Sequence, residues 1–294
     1  MKKLRKKERT LGTIDCEGAT LAYKVTGTGL PLLCIAGGGG EGDSFLPLAD
    51  ALATDFKTIT YDRRINGFST GNLREEFSLS QQARDAVAVL NAVKVDSAFI
   101  FGNSSEAVIA MELATQFPEY VKKAIFHEPP LVNFAKNSEK WSTFFQGCVL
   151  ISQQKSPDKA AMKFGLGVTG KFTLMPLLAD GYLKRYLRHE KQLPYLTKIT
   201  EPLADQVFIE HELLAVTHYE LNIGKLSPIS QRLVFAAGDW TVKHKLWLAE
   251  PAKACADLLS TKFVTLPGGH ISFMNQETAW AVALKNELLN KGDE

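Results

Sequence analysis

The chain is short of cysteine, of long apolar runs and of any imbalance of charge. Its 294 residues include four cysteines, Cys16, Cys34, Cys148 and Cys255, scattered and without CxxC spacing. That excludes a disulfide scaffold and a cysteine zinc site, and the four read as reduced thiols. No stretch approaches the roughly 20 apolar residues needed to cross a bilayer, so no membrane partner is expected. Lys and Arg number 34 against 32 Asp and Glu, for a net charge of +2. Such a balance gives no bias toward a polyanion, and no nucleic-acid partner is expected. The one basic run, residues 1–7, reads as a solvated terminus. It lacks the apolar core of a secretory signal, so a cytoplasmic location is the default expectation. Among six histidines, only His211 has an acidic neighbour of interest, Glu212, on an expected helix. No metal is expected.

What is present is alternation. Apolar runs at 31–36, 57–61, 97–101 and 123–127 each stop at glycine, aspartate or a glutamate followed by two prolines. Helical patterns fill the gaps, notably 79–93 and 107–117. Continuous apolar strands separated by helices imply a parallel sheet covered on both faces. Over 131–227 the pattern turns helical and aromatic, with Trp141, Phe144, Phe145, Phe164, Phe172, Tyr182, Tyr186, Tyr195, Phe208 and Tyr219. Strand patterns return at 232–237 and 262–266. The expected fold class is α/β, a mostly parallel, doubly wound sheet with a helical cap insertion. Its core spans 1–130 and 228–294, and its cap or lid spans 131–227. An insertion between strands of such a sheet emerges at a strand's carboxyl end, where ligands bind.

Three motifs carry chemistry. Gly102-Asn103-Ser104-Ser105-Glu106 lies between an apolar strand and an apolar helix. A hydroxyl is a poor nucleophile until it is exposed and bonded to a base, and a sharp strand-to-helix turn exposes it. The bland alternative is a serine capping the helix. Gly37-Gly38-Gly39-Gly40-Glu41-Gly42 follows the first buried strand. Its backbone can supply an N–H to an oxyanion, with Gly38 and Ser105 as the candidate donors. The run also fits G-x-G-x-x-G literally, but four successive glycines satisfy many templates and no Walker lysine follows. No cofactor is expected. Pro267-Gly268-Gly269-His270, after the last strand, can carry an imidazole to the serine.

Together, Asp62-Arg63-Arg64-Ile65-Asn66-Gly67-Phe68-Ser69, residues 102–105, His127-Glu128-Pro129-Pro130 and residues 267–270 resemble motifs of the capped α/β-hydrolase-fold serine hydrolases. The likeness covers roughly 19–130 and 230–290. It implies Ser104 as nucleophile, His270 as base, and Gly38 and Ser105 as oxyanion-hole donors. It also implies a small-molecule substrate. The expected function is cleavage of a small, largely apolar ester or lactone through an acyl-enzyme on Ser104. The alternatives are a ligand-binding or weakly catalytic member of the fold, and a C–C bond hydrolase or cofactor-free peroxidase using the same site. Oligomeric state is not read from the sequence.

The sequence departs from the family at three places. Glu106 replaces the elbow's second glycine, Ile65 a glycine of the Asp-Arg-Arg loop, and Ala36 a histidine before the oxyanion glycines. Glu106 is expected to modulate catalysis, because a carboxylate near the oxyanion opposes the developing charge. The third triad member has two candidates. The family's usual acid position after the strand at 232–237 holds Thr241, so the expected acid is Glu128, directly after the preceding strand, with Asp239 as the alternative.

Overall fold

All six apolar runs form strands in the computed structural model, which describes residues 6–72, 76–169, 174–188, 190–193, 197–198 and 205–290. They are β3 (Leu30–Ile35), β4 (Phe56–Tyr61), β5 (Ala98–Asn103), β6 (Val121–His127), β7 (Leu233–Gly238) and β8 (Lys262–Leu266). Two further strands precede them, β1 (Arg9–Cys16) and β2 (Ala19–Thr26). Their turn has positive φ at both Glu17 and Gly18, 43° and 80°. That is the two-residue hairpin geometry that matches strand twist. The hairpin is absent from the sequence reading because β1 is nowhere fully buried and so lacks a clean apolar alternation.

Among the described residues the strands form one sheet in the order β1-β2-β4-β3-β5-β6-β7-β8. β1 and β2 pair antiparallel, as do β2 and β4, and every other neighbour pair is parallel. The chain turns from β3 out to β4, then returns to the other side of β3 with β5. The order therefore reverses between β3 and β5, the place where such sheets leave a crevice at their carboxyl ends.

Successive side chains of each parallel strand enter opposite cores. Leu33, Ile35, Ile100 and Phe126 pack on one face with α2 (Leu79–Ala92) and α3 (Ser105–Gln116). Leu32, Cys34, Phe101 and Ile125 pack on the other with α1 (Leu46–Leu52) and the C-terminal helix carrying Trp280. Burial on both faces explains why these strands are continuously apolar. α2 begins at Ser78, whose hydroxyl accepts from the Gln81 N–H, a standard N-cap.

Between β6 and β7 the described elements are helical: α4 (Ser138–Gln154), α5 (Pro157–Thr169), α6 (Leu174–Leu187), a π-helical turn Phe208–Glu212, and α7 (Leu213–Thr217). Trp141 stacks on Trp247 at 4.4 Å, and Phe144 and Phe145 meet edge to face. These aromatics join the segment to the sheet domain, because Trp247 follows β7 and the cluster is continuous with the core on that face. Tyr182, Tyr186 and Tyr219 add polar ties to Glu277, Asp50 and Glu112 of the sheet domain. Phe172 and Tyr195 lie outside the described residues, as do residues 1–5 of the basic run. Among the described residues no helix is long and apolar enough to cross a membrane.

Candidate active site

The turn from β5 to α3 places Ser104 at φ 63° and ψ −129°. A non-glycine residue held at positive φ is strained, and such strain gathers where geometry serves a site. Two contacts hold it. The Ser104 N–H donates to the His127 carbonyl at 2.9 Å, and the Ala107 N–H to the Ser104 carbonyl at 3.0 Å. Gly102 is required by close approach: a Cβ there would come within 2.4 Å of the Glu106 carbonyl oxygen.

Ser104 opens on a cleft of about 490 Å³ at the carboxyl ends of β3 and β5. The glycine loop 37–40 forms one wall and His270 another, while Phe164, Val168 and Phe208 descend from the helical segment. The loop is a tight turn, with the Gly40 N–H donating to the Gly37 carbonyl at 2.6 Å. The Phe208 ring lies 3.3 Å from where a Gly38 Cβ would stand. A side chain at position 38 would require that ring to shift by a few tenths of an ångström.

His270 Nδ1 lies 2.6 Å from Glu128 Oε2. Glu128 is buried, and its other oxygen accepts the Gly238 N–H at 2.8 Å. Burial alone would raise this carboxyl. The facing His127 and His270 rings and the Thr241 hydroxyl outweigh it and hold the group down at about 2. Glu128 itself sits at φ 48°, a second strained residue at this site. Asp239, the other candidate, accepts the Gly268 N–H at 2.8 Å and so shapes the loop that carries His270. The structure thus brings Ser104, His270, Glu128 and Gly38 to one place and leaves Asp239 beside it. Thr241, at the family's usual acid position, supports the Glu128 carboxylate.

Glu106 is not set as an open charge. It is fully buried, its Oε1 is 3.0 Å from Arg63 Nε, and its Oε2 accepts from the Ser105 hydroxyl at 2.9 Å. Arg63 Nη2 in turn lies 2.8 Å from Glu212 Oε2 on the π-helical turn. Arg63 Nε also reaches the Ala36 carbonyl at 3.3 Å. Burial and the second carboxylate raise Glu106 against the pull of Arg63, up to about 8. Arg63 and Glu212 stand in the sequence as part of the Asp62–Ser69 motif and as the neighbour of His211, but nothing there joins either of them to Glu106. No local pattern pairs residues 63 and 212, which are brought together only by packing.

The family model for the alpha/beta hydrolase fold matches residues 31–277. The chain belongs to the α/β-hydrolase fold family. This α/β hydrolase is 28% identical over 269 residues to the uncharacterised hydrolase YraK of Bacillus subtilis (strain 168), covering 89% of this chain and 90% of that one. By structure it is similar to the enol-lactonase from Burkholderia xenovorans LB400, with a TM-score of 0.71 at 14% identity over 95% of this chain and all of the other. It is also similar to a thermophilic esterase from Thermogutta terrifontis, with a TM-score of 0.70 at 17% identity over 96% and 98% of the two chains. At those identities the structural likenesses speak for the fold. The chain is a hydrolase of this family.

Proposed function

We propose that this α/β hydrolase cleaves small, largely apolar esters or lactones through an acyl-enzyme on Ser104. The observation that carries the reading is the 2.6 Å contact between His270 and Glu128 beside a serine held at positive φ in the same cleft. With its Nδ1 proton directed at Glu128, His270 keeps the Nε2 lone pair free to take the Ser104 proton as the hydroxyl attacks the carbonyl carbon. The backbone N–H groups of Gly38 and Ser105 receive the negative oxygen of the tetrahedral intermediate. His270 then gives its proton to the leaving oxygen, and water, deprotonated by the same imidazole, releases the acyl group. No cofactor enters this scheme.

The cleft favours apolar acyl groups, because Phe164, Val168 and Phe208 supply its roof. Those residues come from the helical segment, which in this reading acts as a lid. The enol-lactonase among the structural relatives supports a lactone as one substrate class. The test is labelling with a fluorophosphonate and hydrolysis of p-nitrophenyl acetate and a simple six-membered lactone. Ser104→Ala should abolish labelling and both hydrolyses while retaining the fold. Labelling that moves to Ser105, or hydrolysis that survives in Ser104→Ala, overturns the reading.

A further inference from the structure

A second histidine stands behind the first. His127 ends β6, is fully buried, and faces both the residue before Ser104 and the carboxylate that holds His270. Its Nδ1 is 2.6 Å from the Asn103 side-chain oxygen, and its Nε2 is 3.8 Å from Glu128 Oε1. Nε2 has no hydrogen-bond partner among the described residues. The Trp280 ring covers the imidazole edge-on at 5.0 Å, and His270 lies nearly parallel to it at 6.3 Å.

A neutral imidazole carries one proton, and these surroundings choose its place. Burial, with His270 near, pushes His127 down to about 4 against the pull of Glu128, so the ring is neutral near pH 7. With the proton on Nδ1, the bare lone pair of Nε2 would face a carboxylate in a site closed to water, where such repulsion is poorly screened. With the proton on Nε2, an N–H dipole faces the carboxylate instead. Nδ1 then needs a donor, which the Asn103 amide supplies when its oxygen and nitrogen exchange places, a rotation that leaves the side chain's shape unchanged. Both imidazole nitrogens then face a group of opposite sign.

We propose that His127 is a positioning residue for the hydrolytic site: in its Nε2–H form, braced by the Asn103 amide, it directs an N–H dipole at Glu128 and tempers the charge that His270 feels. The inference deepens the serine-hydrolase reading and rests on Glu128 and His270 acting as that reading assigns. The titratable groups facing His127 are Glu128 and His270. The backbone bond from Ser104 to the His127 carbonyl is independent of this side chain, so substitutions can probe the ring alone.

The sign follows from the dipole. Removing the N–H leaves Glu128 less compensated, which favours the protonated form of the imidazole it faces. A protonated base is inactive, so the acid limb of the kcat/KM profile moves to higher pH. His127→Phe keeps the ring's bulk and should raise that limb by roughly half a pH unit. His127→Gln can place an amide N–H where Nε2 stood and should keep the limb at the wild-type position. A purely structural role would lower melting temperature and rate without moving the limb. Imidazole ¹⁵N shifts of the unmodified protein decide the tautomer directly, even if His127→Phe fails to fold. The expected result is a protonated Nε2 and a bare Nδ1 on His127. A protonated Nδ1, or an acid limb unmoved in a folded His127→Phe, overturns the proposal. Ser104→Ala keeps the two ideas apart: activity surviving there defeats the serine mechanism, while the ¹⁵N result stands or falls alone.

Discussion

Arg63 and Glu106 form a fully buried pair, Nε to Oε1 at 3.0 Å, directly behind the Ser104 turn. Through the same guanidinium, Glu106 is joined to Glu212 of the helical segment and to the carbonyl of Ala36 before the glycine loop. The Ser104 turn, the start of the glycine loop and the helical segment therefore share one charge centre. The residue that departs from the family pattern is held by a partner supplied from the Asp62-Arg63-Arg64 loop.

Above about pH 8, where Glu106 is ionised, removing that partner strands two carboxylates in the interior. Arg63→Met is expected to cost about 3–5 kcal/mol, the usual result of breaking a buried pair from one side. Urea unfolding followed by tryptophan fluorescence measures it. A loss below 1 kcal/mol would mean the cluster does not hold the cleft walls. Glu106→Gly, which the isolated motif suggests should relieve a brake on catalysis, is expected here to destabilise the protein as well, since it leaves a cavity beside Arg63.

Two carboxylates on one guanidinium also set a pH dependence. Glu106 binds a proton more tightly folded, at about 8, than its ordinary value of 4.5. Asp62 is likewise raised, by burial and then by Asp43, to about 7 from 3.8. A carboxyl raised on folding stabilises most at low pH, and its contribution is lost as pH climbs through the folded value. Melting temperature should therefore decline between about pH 5 and pH 8. The Glu106→Gln variant should show a shallower decline. Parallel slopes in the two proteins would exclude Glu106 as the source.

Glu128→Gln is expected to lower kcat on p-nitrophenyl acetate by ~10³–10⁴, because an amide in that place favours the wrong imidazole tautomer. Asp239→Asn should cost far less, since Asp239 bonds a loop N–H and not the imidazole. Initial rates at saturating ester settle the comparison, and equal losses would count against Glu128.

Ile65 occupies φ 62°, a left-handed conformation that a β-branched residue adopts at a cost. Ile65→Gly is expected to gain about 1 kcal/mol, the relieved strain exceeding the entropy that glycine adds to the unfolded chain. The urea midpoint reads the change. A loss of stability would show that the Ile65 side chain's packing outweighs its backbone strain.

The sequence by itself determined the six parallel strands, because burial on both faces forces continuous apolar runs ended by turn residues. It also marked Ser104, His270 and the glycine loop, since a nucleophile turn needs small neighbours within a few positions and leaves a local pattern. Tertiary structure decided what depends on distance across the sheet. Glu128 is the favoured acid and Asp239 its alternative in one dimension, and only the placement of the β6 and β8 ends sets one carboxylate 2.6 Å from the imidazole. The same holds for Arg63, which meets Glu212 across 149 positions of chain. It holds too for His127, whose meaning lies in facing Asn103 and Glu128 at once. A buried charge carries no sequence signature of its partner, because the partner is chosen by packing and not by spacing.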